Sequence, residues 1–114
     1  MGGGINYSTE EQVVGTWIDG STLYQKTFDC GAMPNSTYKY VETGLSNVLV
    51  VNMFGVSVNT SDETNTLPSS NFGTINYDRG LAYKYTNNTI SLYAGYNRSN
   101  EKAYVTLQYT KTTD

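Results

Sequence analysis

Apolar and polar positions alternate with a period of two along much of this chain, most cleanly near its end. Ala103, Val105, Leu107 and Tyr109 interleave with Tyr104, Thr106, Gln108 and Thr110. That pattern predicts a strand over Ala103–Tyr109 with the first set turned to the core. Val13 to Ile18 predicts an opening strand, and Asp19-Gly20 directly after it predicts a hairpin, because Gly takes positive φ without steric cost. Thr22 to Phe28 is then the return strand. A two-residue turn sets Trp17 opposite Thr22, and a three-residue turn sets it opposite Leu23. Thr37 to Val41 reads as a short strand between a loop at 31–36 and a turn at 42–46.

Asn47 to Val58 is the longest apolar stretch. Val48, Val50, Phe54, Val56 and Val58 share one face by strict alternation, interrupted by Asn52, while Leu49, Val51 and Met53 take the other. A strand apolar on both faces at one end belongs in the middle of a sheet. A polar turn follows at 59–65. Leu67 to Asp78 reads as a long loop with one short strand around Thr74–Tyr77. Leu81 to Thr86 and Thr89 to Ala94 flank Asn87-Asn88. Taken as a type I′ turn, that pair sets Tyr85 opposite Ile90, Tyr83 opposite Leu92 and Leu81 opposite Ala94, with Lys84 and Ser91 on the reverse face. About seven antiparallel strands with frequent turn signals predict an all-β domain, a β-sandwich or jelly-roll-like fold. Little helix is expected; the spacing of Ser8 and Glu11 has the form of a capping box and predicts one helical turn ahead of the first strand.

Length and composition narrow the function more than the fold. The chain has 114 residues, enough for one domain over 7–114, with residues 1–6 expected to be a flexible leader or linker. It has 11 Tyr, one Cys and no His. Histidine-based triads and dyads and histidine-ligated metals are thereby excluded, as is a disulfide framework within the chain. With 7 Lys+Arg against 10 Asp+Glu, the net charge of −3 is a poor footprint for nucleic acid or an anionic membrane. No apolar run approaches a membrane span, and no signal peptide is expected. A hydrophobic content of 38% is too high for a disordered chain.

The remaining acid–base groups are carboxylates. Asp62-Glu63 and Asp19 sit in turns, and Glu10-Glu11 reads as a helix-start or exposed-linker pair, so no pair has a spacing that supports glycoside hydrolysis. Asn59 to Glu63 is oxygen-rich but lacks the ladder of a calcium loop, so no metal or other cofactor is expected. Cys30 has no base to activate it and reads as a small packed residue. The five Asn-x-Ser/Thr sites read as chance in a chain so rich in Asn, Ser and Thr.

Tyrosine is the remaining signal. Tyr83, Tyr85 and Tyr109 fall on core-side positions. Tyr77, Tyr93, Tyr96 and Tyr104 fall in loops or on outward positions, where they serve either a ligand surface or cross-strand and subunit packing. Together with the polar and charged side chains beside them, the candidate ligand-binding set is Tyr77, Asp78, Arg79, Tyr96, Asn97 and Arg98.

Two segments carry a family resemblance. Tyr7-Ser8-Thr9-Glu10-Glu11-Gln12-Val13-Val14-Gly15-Thr16-Trp17-Ile18-Asp19-Gly20, continued by Leu23-Tyr24-Gln25-Lys26-Thr27, resembles the opening of a module at the C-terminal end of phage tail fibre and baseplate proteins from gut-bacterial phages and prophages. The run from Ala103 to Asp114 is similar to that module's ending, and Asn88–Leu92 and Asn97-Arg98-Ser99 are also similar. The resemblance implies a virion component, made in the bacterial cytoplasm and carried distally on the tail. It implies a homotrimer that attaches to a bacterial surface glycan or protein receptor. The alternative is a purely structural cap that trimerises a fibre and has no ligand of its own. An enzyme is not expected.

Overall fold

The computed structural model of the chain describes residues 8–59, 63–67, 69–70 and 77–112, with the backbone alone at 63, 69, 70, 77 and 78. Within them the chain forms β1 (Gln12–Thr16), β2 (Thr22–Ala32), β3 (Tyr38–Glu42), β4 (Val48–Asn59), β5 (Glu63–Leu67), β6 (Ser69–Ser70), β7 (Tyr77–Lys84), β8 (Thr89–Ala94) and β9 (Lys102–Lys111). Eight are strands of five residues or more and β6 has two, against the seven or so predicted. The predicted short strand around Thr74–Tyr77 lies, apart from Tyr77, outside the described residues. All pairings are antiparallel, in a five-stranded sheet ordered β1-β2-β9-β4-β5 and a four-stranded sheet ordered β3-β8-β7-β6. The fold is sandwich-like, with the core between the sheets.

β9 is the spine. It pairs with β2 from Lys102 to Tyr109 on one side and with β4 along its whole length on the other. Ala103, Val105, Leu107 and Tyr109 are fully buried, as their alternation predicts. From the facing sheet Ile90, Leu92 and Ala94 of β8 meet them, with Phe28, Cys30, Met33, Val48 and Leu67 completing the cluster. β4 approaches β9 so closely that a Cβ at Gly55 would lie 2.6 Å from the Tyr104 carbonyl oxygen.

Bulges decide which side chains face inward. One extra residue at Val51 shifts β4 against β9, so Val50 stands opposite Tyr109 while Asn52 stands opposite Gln108. Val48 and Val50 therefore pack inward, whereas Phe54, Val56 and Val58 turn outward. This corrects the single apolar face expected from strict alternation: an inserted residue reverses the parity of everything after it.

Both hairpin turns also differ from the prediction. Trp17 donates its N–H to the Ser21 carbonyl at 2.8 Å and accepts from Gly20 N–H at 2.9 Å. The loop is thus Ile18-Asp19-Gly20, with Gly20 at φ +89°, and Trp17 faces Ser21 rather than Thr22 or Leu23. In the last hairpin Tyr83 stands opposite Ile90 and Leu81 opposite Leu92. A two-residue I′ turn needs positive φ at both centres, and only Asn88 has it, at +54°. The loop widens to Tyr85–Asn88. A shift of two residues preserves the faces of Leu81, Tyr83, Ile90 and Leu92. It expels Tyr85, which is half exposed and accepts the Val50 N–H on its hydroxyl at 3.0 Å.

The predicted helical turn is absent among the described residues. The Ser8 hydroxyl accepts the Glu10 N–H in a local turn, and the Ser8 carbonyl accepts the Thr27 N–H of β2 at 2.9 Å. The open edge of β2 offers donors that an isolated turn of helix does not. Glu11 instead accepts from the Tyr109 hydroxyl and from Lys111 Nζ at 2.9 Å, tying this entry segment to β9.

Candidate functional site

Register assembles an aromatic face on the outside of the four-stranded sheet. Tyr38 of β3 stands opposite Tyr93 of β8, which stands opposite Gly80 of β7. In the next outward row Tyr40 stands beside Ser91 and Ala82. Tyr38 is 59% exposed and Tyr40 51% exposed. Their ring planes lie within 6° of parallel with centroids 6.3 Å apart, and Tyr93 tilts against Tyr38 at 4.9 Å. Gly80 makes room for this: a Cβ there would sit 3.2 Å from the Tyr93 Cβ. Three tyrosines thus rise beside a floor of Gly80, Ala82 and Ser91, which have almost no side-chain bulk.

Cations border the face. Lys84 Nζ lies 5.2 Å from the Tyr40 ring centroid. At the other end, the segment after β8 extends the ladder: Ser36 N–H donates to the Tyr96 carbonyl, Asn35 bridges Asn97, and Arg98 N–H donates to the Pro34 carbonyl. Tyr96 is exposed with the Arg98 guanidinium over its ring at 5.5 Å. Asn97 Oδ1 accepts from the Ser99 N–H and hydroxyl, which sets the turn.

Of the sequence-predicted set, Tyr96, Asn97 and Arg98 thus lie together in an exposed turn beside the β3–β8 ladder. Arg79 lies elsewhere. It is 5% exposed on the inner side of β7, donating from Nε and Nη2 to the two carboxylate oxygens of Glu101 at 2.9 and 2.7 Å. Its guanidinium holds the Glu101 carboxyl below the usual range, against the opposing effect of burial. Since Glu101 also takes Met33 N–H on its carbonyl, the pair anchors the end of the turn that carries Tyr96. The side chains of Tyr77 and Asp78 lie outside the described residues. Sequence reasoning missed Tyr38 and Tyr40, although period-two spacing in a short strand was the signal that could have found them.

The reactive groups are committed to structure. Burial pushes the Cys30 thiol up to about 11. Lys39 reaches across to cap the Cys30 and Ala32 carbonyls at 2.7 and 2.8 Å. Burial, and then the bond to Glu11, raise the Tyr109 hydroxyl far above its ordinary value. No group of three or more Cys, Asp or Glu gathers among the described residues to hold a metal ion.

Comparison with protein-family models, with curated proteins and with solved structures finds no match to this chain.

Proposed function

We propose that this domain is the terminal attachment module of a phage tail fibre or baseplate protein, and that it holds a bacterial surface glycan on its tyrosine face. The observation that carries the reading is Tyr38 and Tyr40, side by side and each more than half exposed, against a floor of Gly80 and Ala82. Stacked rings offer flat apolar area to the C–H faces of a sugar, while phenol hydroxyls offer hydrogen bonds at their edges. Lys84 and the Tyr96–Arg98 turn supply polar groups at the two ends. The resemblance of the opening and closing runs to tail-protein modules supports the setting. In that setting weak single sites suffice, because several copies on one virion raise the effective affinity by orders of magnitude.

The test is binding of the purified domain to an array of bacterial surface polysaccharides, followed by titration of the strongest ligand. Tyr38→Ala and Tyr40→Ala are each expected to weaken binding about tenfold, equivalent to ~1.4 kcal/mol, with the thermal midpoint unchanged. Binding that survives both substitutions, or no binding to any glycan, refutes the reading.

A further inference from the structure

The outer face of the five-stranded sheet takes no part in the tyrosine site, and its chemistry is not that of a solvated sheet face. Among the described residues, register places only two charged side chains on it, Asp29 and Lys102. They pair with each other at 3.2 Å. The chain has 17 charged residues in all, 7 basic and 10 acidic, so this face is depleted of charge.

Several of its polar side chains bond to one another along the sheet. Asn52 donates to Gln108 at 3.2 Å and Gln108 donates to Gln25 at 2.8 Å. Gln25 is 1% exposed, and its Nε2 has no hydrogen-bond partner; the same holds for Oε1 of Gln12, the residue opposite it on β1. The Thr27 and Thr106 hydroxyls bond to each other at 2.9 Å. Side chains lying along a sheet in this way leave it flat enough for the ~10 Å approach of a second sheet.

Beside this polar row the face has a hollow. A groove of about 310 Å³ is lined by Thr27, Thr106, Phe54, Val56 and Tyr104, almost wholly by apolar atoms. In a twofold contact a patch meets its own copy, and a patch almost without charge does so without like-charge repulsion. The three long strands and two short ones cover on the order of 700 Å² at standard strand spacings, close to the ~800 Å² per partner of a stable interface. Charge depletion with Phe and Tyr at the centre is the composition of such interfaces.

We infer that this face packs against the same face of a second copy of this chain, with the apolar hollow lined by Phe54, Val56 and Tyr104 at the centre of the contact. The inference does not depend on the glycan reading. It also differs from the threefold assembly that the family resemblance implies.

Light scattering on a sizing column tests it, with the chain loaded over a hundredfold range of concentration. The expected result is the mass of two chains. Phe54→Lys and Val56→Lys are each expected to give the mass of one chain with unchanged far-ultraviolet circular dichroism. Both residues sit on the outer side of β4, so the monomer should tolerate a Lys at one of them even where the other unfolds. Tyr40→Ala, on the opposite sheet, should leave the mass of two chains intact. A wild-type mass of one chain or of three overturns the inference. So does a two-chain mass that both Lys variants retain, or one that Tyr40→Ala abolishes.

Discussion

Glu101→Gln is the sharpest probe of how the core supports the exposed turn. Glu101 and Arg79 are 4% and 5% exposed, and two hydrogen bonds join them. Removing the carboxylate charge takes from the buried guanidinium the ion-pair partner it meets at 2.7 Å. Breaking a buried pair from one side costs about 3–5 kcal/mol. The Gln oxygen keeps one of the two bonds, so a loss of about 3 kcal/mol is expected. Against a total of ~5–15 kcal/mol for a domain of this kind, that is a large fraction. With a urea slope of ~1–2 kcal/mol/M the midpoint should fall by about 1.5–3 M. The fluorescence of Trp17, the single Trp, reports the transition. Arg79→Met combined with Glu101→Leu should restore most of the loss, because a well-packed apolar pair carries no desolvation penalty.

The pH dependence has a definite sign. Arg79 holds the folded carboxyl below its unfolded value, so the pair stabilises the fold above the unfolded pKa of ~4.3. That stability is lost as the pH falls through the lower folded value, and the variant should lack this part of the acid sensitivity. A loss below ~1 kcal/mol, or a double variant as unstable as the single one, would refute the reasoning.

Two further predictions concern local structure. Asn88 sits at φ +54°, so Asn88→Val should cost about 1–2 kcal/mol while Asn88→Gly is tolerated; equal urea midpoints for wild type and Val variant would contradict the four-residue loop. For Glu11, burial raises the carboxyl, but the bonds from Tyr109 and Lys111 outweigh it and the folded pKa is lowered. Glu11→Gln should therefore cost about 0.5 kcal/mol at neutral pH, a deficit that closes as the pH falls below ~4 in thermal melts; a deficit constant from pH 3 to 8 would show that the latch is not ionic.

How much of this was legible beforehand varies by element. The alternation of Ala103 to Tyr109 predicted the buried face of β9 residue by residue. The all-β class followed from the same periodicity with the turn residues between strands. Registers were less legible, because a hairpin's pairing depends on loop length: Asp19-Gly20 and Asn87-Asn88 mark where the chain reverses but not how many residues it uses. For the candidate site, the Tyr96–Arg98 turn was visible as exposed polar and aromatic residues. Arg79 was not visible as a core residue, because nothing local to it announces Glu101, 22 residues away.

The sequence by itself determined the period of each strand, the positions of its turns and the narrow range of chemistry open to a chain without histidine. Those are properties of neighbours along the chain. Only the tertiary structure decided parity and company. One bulged residue at Val51 turned Phe54 and Val56 away from the core and toward the outer groove. Strand pairing brought Tyr38 and Tyr93, 55 residues apart, to within ring contact. Both outcomes depend on which strand lies alongside which. That is settled by the burial of the whole core rather than by any local preference.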